Sequence, residues 1–155
     1  MADHHRSRGS DRLGHERFGR VCIFSVQVRI AREKLRHDLY DRRFAIYMAF
    51  HELLTAVTEK DDVDAELRKA NAARAHSPFL LNAEVGSFLE RLHARGFQIH
   101  ATADLVRKNL LDRSATLDLA DKLGSDKLEF ANKVPDLVRE FEPFLKLRDF
   151  SKNKP

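Results

Sequence analysis

His37-Asp38, with Asp41 one turn beyond His37 and Asp104 further along, is the grouping of residues best suited to chemistry. Two carboxylates with imidazoles can hold a divalent cation that activates water for attack on a phosphoester. A centre of that kind also takes an imidazole from a separate, earlier helix. The only earlier histidines, His4, His5 and His15, lie in a segment without Cys or carboxylate at metal-binding spacing. His37 itself stands in a run of charges that reads as solvated. His93 and His100 are seven apart, whereas a metal held across one helix wants imidazoles four apart, so both read as surface or half-buried polar groups. His51-Glu52, adjacent in sequence, point about 100° apart around a helix and read the same way. Cys22, between Val21 and Ile23, reads as a small buried apolar group with no base to activate it. Asp61, Asp62, Asp64 and Glu66 lack the Gly and spaced oxygens of a calcium loop and are better explained as helix capping, Asp61 or Asp62 accepting from free backbone N–H groups. There is no glycine-rich phosphate loop, no Gly-x-Ser-x-Gly and no Cys-x-x-Cys.

Charge is distributed unevenly. Residues 1–43 carry 11 Lys/Arg against 6 Asp/Glu, whereas residues 44–155 carry 17 against 18. A basic first third can attract nucleic acid or an anionic membrane face by a term blind to sequence, and Arg29, Arg32, Lys34, Arg36, Arg42 and Arg43 are the residues that would do so. The simpler reading is a solvated helix surface laced by pairs such as Asp38 with Arg42. With no Trp, and with Phe confined to helical seams, a nucleic-acid role would have no recognisable reading head.

The elements that would position these residues are helices. With 155 residues, 43% hydrophobic, and only 6 Gly and 4 Pro, the chain is neither collagenous nor wholly disordered and can bury a core. One Cys excludes an internal disulfide framework and fits a reducing compartment. The longest uncharged apolar runs, Val21–Val28 and Phe44–Phe50, fall short of the ~20 residues that cross a bilayer. Residues 1–20 carry few large apolar groups and read as a flexible basic arm. From Val21 to about Lys60 apolar residues recur by threes and fours, first at Val21, Phe24, Val28, Ala31 and Leu35, then at Leu39, Ile46, Tyr47, Phe50, Leu53, Leu54 and Val57. That predicts one long helix, or two joined near Arg36 to Asp38, whose first half projects or bends back.

A short Ala-rich helix follows to about Arg74, thin enough for close approach of a neighbour and stopped by His76-Ser-Pro78. Phe79-Leu80-Leu81 reads as a connector that plugs one end of the core. Asn82 caps a third helix with the clearest seam in the chain: Val85, Leu89, Leu92, Gly96, Ile99, Ala103, Val106 and Leu110. Gly96 there marks either close helix contact or a local break. Ser114 or Thr116 caps a short turn ended by Gly124. Ser125 begins the last helix, with Phe130, Val134, Leu137, Phe141 and Phe144 on its seam, Pro135 kinking it or starting a new one, and Pro143 at its end.

The segment Leu35-Arg-His-Asp-Leu-Tyr-Asp-Arg-Arg-Phe-Ala-Ile-Tyr47 resembles K-L-x-x-D-L-[FY]-D-[RK]-R-[FY]-x-[VI]-Y, Phe79-Leu-Leu-Asn-Ala-Glu-Val85 is similar to F-L-F-x-x-E-[VI], and Phe141-Glu-Pro-Phe-Leu-Lys-Leu147 to F-x-P-[FY]-L-x-L. These motifs belong to a family of uncharacterised bacterial proteins with an N-terminal membrane helix followed by a small helical cytosolic domain. The likeness spans Gln27 to Leu147 and implies a helical domain of the cytoplasm, held near the inner face of a membrane, with no implied activity. Where the family's membrane helix would precede Arg29, this chain has Arg17 to Gln27, and either the anchor is lost or the start differs.

The sequence therefore predicts an all-α, antiparallel helical bundle with a long first helix and no β-sheet. Its layout would be a basic arm at 1–20, one helical domain at 21–150 and a basic tail at 151–155. The expected function is a non-enzymatic interaction or regulatory domain that binds a protein partner or a second copy through helix contacts, without metal or cofactor. The alternatives are a metal-dependent phosphohydrolase of HD type, centred on His37, Asp38, Asp41 and Asp104, and nucleic-acid or peripheral anionic-membrane binding through the basic first helix.

Overall fold

The computed structural model describes residues 12–60, 62–108 and 113–146, with side chains from Val26 onward except that of Arg113. Five helices and no strand occur among them, α1 (Arg12–Glu59), α2 (Asp64–Leu80), α3 (Ala83–Lys108), α4 (Arg113–Ala131) and α5 (Val134–Leu145). The chain divides into two compact units, Met1–Asp38 and Leu39–Pro155. The all-α bundle is the fold of the second. No helix among the described residues is long and apolar enough to cross a membrane.

α1 is one helix with no break at Arg36 to Asp38. It begins nine residues before the Val21 expected from apolar periodicity, because Leu13, Glu16, Arg17 and Arg20 favour a helix without supplying an apolar stripe. Of the arm expected at 1–20, residues 1–11 lie outside the described residues, as does the basic tail at 151–155. In the first unit the side chains of Val26, Ile30 and Leu35 are exposed.

In the second unit the later stripe of α1 supplies the core: Ile46, Phe50, Leu53, Leu54, Ala56 and Val57 are buried. Against them α3 lays Val85, Leu89, Leu92 and Ile99, while α4 and α5 add Phe130, Leu137 and Phe141. The helices α1, α2 and α3 alternate in direction. Arg43 Nε donates to the Leu80 carbonyl (2.9 Å) and Lys69 Nζ to Glu52 (3.3 Å), so α1 and α2 run antiparallel. Arg74 with Glu90, and Asp64 with His100, set α2 and α3 the same way. Tyr47 meets Phe141 edge-on, ring centres 5.6 Å apart, and Arg43 lies 5.5 Å from the Phe144 ring, which orders α5 against α1.

Gly96 resolves as close contact, with α3 unbroken through it. A Cβ placed there would sit 3.2 Å from Phe130 Cζ and 3.5 Å from Leu53 Cδ2, so α3 passes so near to α1 and α4 that even a methyl group would press on the Phe130 ring. Asn82 caps α3 as expected, accepting the Val85 N–H at 2.9 Å.

Two boundaries differ from expectation. α2 does not stop at His76-Ser77 but runs through Pro78 to Leu80. Proline removes the N–H that would bond the Arg74 carbonyl. The Ser77 hydroxyl donates to that carbonyl instead, at 2.8 Å, and the last turn survives. The Phe79-Leu80-Leu81 plug is likewise corrected: Leu81 is buried, but Phe79 is 85% exposed. Gly124 does not end a turn, and Ser125 does not begin a helix. α4 passes through both, since one open helical Gly costs only ~1 kcal/mol and Leu123 and Phe130, on either side of it, keep one face toward the core. The break falls at Asn132–Lys133, and Pro135 occupies the first turn of α5, where it needs no N–H partner.

The Ser77 bond makes a specific prediction. Ser77→Ala should destabilise the protein by about 1 kcal/mol, because a half-buried carbonyl loses its donor. In a Pro78→Ala background, which restores the backbone N–H, the same change should cost under about half as much. Chemical denaturation of the four proteins in the cycle measures both values, and equal costs in the two backgrounds would remove Ser77 from this role.

Candidate functional site

His37, Asp38 and Asp41 are exposed on α1. Asp104 on α3 accepts from Arg107 Nη2 (2.5 Å) and from Lys108 Nζ, and those two hydrogen bonds, Lys108 foremost, hold its carboxyl below the usual aspartate range. No group of three or more His, Cys, Asp or Glu among the described residues could hold a metal ion. The geometry thus lends nothing to the hydrolase reading. His93 Nε2 lies 3.3 Å from the Leu67 carbonyl oxygen, and His100 Nε2 lies 2.9 Å from Asp64 Oδ1, so both are half-buried contacts between α2 and α3. His51 packs against the Tyr47 ring. The side chain of Cys22 and all of His4, His5 and Asp61 lie outside the described residues, as does the His15 side chain.

The acidic residues at the start of α2 are used locally. Asp62 Oδ1 accepts the Asp64 N–H at 3.0 Å, and Glu66, buried, accepts from Lys60 Nζ at 2.5 Å. That bond above all holds the Glu66 carboxyl below its ordinary range and the Lys60 ammonium above its own. A depressed carboxylate adds stability above its unfolded pKa of about 4.3, and loses it as pH falls through the folded value. The raised lysine adds stability below its unfolded pKa of about 10.4, and loses it as pH rises through the folded value. Glu66→Gln should therefore flatten the fall of melting temperature between about pH 5 and pH 3. An unchanged acid limb would contradict the pairing.

The basic residues divide. In the first unit Arg29 pairs with Glu33 at 3.6 Å, and Arg32, Lys34 and Arg36 are exposed. In the second, Arg43 is spent on the Leu80 carbonyl and the Phe144 ring and is a structural residue, not a free cation. Arg42 is exposed and makes no ion pair among the described residues.

Arg42 stands at the edge of an open groove of about 930 Å³ between α1 and α2. Its construction follows from residue size. Ala45 and Ala49 on α1 and Ala72 and Ala73 on α2 face it, and four methyl groups cannot fill the space between the two helices that larger side chains would occupy. Ile46 closes the floor. Met48 and Phe79 stand at the sides, Phe79 with nothing packed on most of its ring. Glu52 paired with Lys69 marks one end, and Arg42 marks the other. From Arg42 to Glu52 the groove follows α1 for about 15 Å, or three turns.

The sequence-level choice of basic residues includes one member of this site, Arg42, and misses the rest. The Ala-rich composition of α2, thin enough for a close neighbour, was the signal for the groove.

No protein-family profile matches the chain, and no curated protein or solved structure is similar to it.

Proposed function

We propose that this is a non-enzymatic interaction domain whose α1–α2 groove receives a helix of a partner protein. The observation that carries this reading is the exposed Phe79 ring beside an alanine-floored, three-turn groove. A surface that exposes contiguous apolar groups in a concavity gains from being covered. An amphipathic helix fits the length, its apolar stripe lying on the alanines as one more rod in a bundle. Covering the exposed Phe79 ring contributes about 1.5–3 kcal/mol if it is fully buried, and the half-buried Met48 adds less. Met48 is unbranched and adapts to the partner's side chains.

Filling the groove tests the reading. Ala49→Trp should leave the melting temperature within a few degrees of wild type, since the added ring enters open space and not the core. The wild-type protein, used as bait in an extract of its source cell, should retain a protein that the Ala49→Trp bait loses. Purified, that protein should bind wild type at least about tenfold more tightly than the variant, a difference of about 1.4 kcal/mol. Equal retention by both baits would put recognition elsewhere, and retention lost only on replacing Arg29, Arg32, Lys34 and Arg36 by Gln would move it to the first unit.

A further inference from the structure

We infer that the docked helix carries a carboxylate at the end of its apolar stripe, which Arg42 receives. This rests on the groove reading above and adds the charge that selects the partner. The two ends of the groove are electrically unlike. At one, the Glu52 carboxylate and the Lys69 ammonium lie 3.3 Å apart and neutralise each other. At the other, Arg42 is exposed and makes no ion pair among the described residues. Arg43, the next residue, is turned away toward Leu80 and Phe144 and does not compensate.

The antiparallel pairing of α1 and α2 brings the Leu80 end of α2 to Arg43, so Arg42 stands at the end of the groove away from Glu52 and Lys69. An apolar helix lying between these ends expels water from the alanine floor and strengthens whatever charge interaction remains at the rim. A lysine placed there would face an uncompensated guanidinium, whereas a glutamate would pair with it. Selection by the rim charge then works by repulsion of the wrong helix as much as by attraction of the right one.

Two synthetic 16-residue helical peptides test this, identical in a Leu/Met stripe at i, i+4, i+7 and i+11 and differing only in Glu or Lys at both ends of the stripe. Placing the charge at both ends makes the result independent of docking direction. Binding to the full-length protein is read by fluorescence anisotropy. The Glu peptide should bind about three- to fivefold more tightly at low salt, the difference should shrink at high salt, and Arg42→Glu should reverse the preference. Saturable binding of both peptides with equal affinity, and no reversal in Arg42→Glu, would overturn the carboxylate while leaving the groove in place. No saturable binding of either peptide, or binding unaffected by Ala49→Trp, would overturn both. A wild-type dimer that Ala49→Trp converts to monomer would put a second copy in the groove and overturn the external acidic helix.

Discussion

Phe141→Ala is expected to destabilise the protein by about 4 kcal/mol, the largest effect of any single truncation proposed here. The side chain is fully buried, and its ring meets Tyr47 edge-on from the far side of the bundle. α5 has twelve residues, too few to be stable as a helix alone. Leu137 and Phe141 are the buried residues of α5, and Val134, Phe144 and Leu145 pack half-buried around them. Removing one leaves a cavity that Tyr47 and Phe144 cannot both collapse into, because Phe144 is already held under Arg43. Denaturation should therefore show the loss in stability, and amide exchange should show α5 opening ahead of α3. A cost below about 1 kcal/mol would mean that α5 does not dock against α1 at this ring.

Gly96→Leu is expected to cost about 3 kcal/mol, by the opposite mechanism. The first added carbon alone would stand 3.2 Å from Phe130 and 3.5 Å from Leu53, both buried. Gly96→Ala is the control. It gains about 1 kcal/mol of helix propensity and gives back a comparable amount to the close contact, for a net change near zero. The pair of variants separates backbone effects from packing, because both replace glycine but only leucine must displace Phe130. Wild-type stability for Gly96→Leu would mean that α3, α4 and α1 do not converge at this point.

These two sites show what periodicity alone could reach. The seam through Val85, Leu89, Leu92, Gly96 and Ile99 was legible because burial on one face of a helix leaves its mark at steps of three and four. So was the later stripe of α1, where Phe50, Leu53, Leu54 and Val57 are buried as spaced. Helix ends were less legible, because Pro78 and Gly124 are breakers by propensity yet each has a local reason to be tolerated. For Pro78 that reason is a serine hydroxyl on the orphaned carbonyl, which no propensity scale contains. For Gly124 it is the continuing face of Leu123 and Phe130.

The candidate site was legible only in fragments. Its floor is made of alanines on two helices more than twenty residues apart in sequence, and small residues leave no periodic signal of what they fail to fill. Phe79 was expected inside and lies outside, since an apolar residue at a helix end looks the same in sequence whether it seals a core or awaits a partner. Arg42 and Arg43 are adjacent and chemically identical. Only the antiparallel partner, which brings the Leu80 carbonyl to Arg43, separates the structural cation from the free one.

The most direct test of the docking account uses the two methionines of the chain, Met1 and Met48, of which Met48 lines the groove. With both ε-methyl groups labelled with carbon-13, the full-length protein gives two signals, assigned by Met48→Leu. The account predicts that titration with the glutamate-ended peptide moves the Met48 signal saturably, leaves Met1 in place, and has no effect on Met48 in Ala49→Trp. A Met48 signal that stays put while the peptide binds would contradict it.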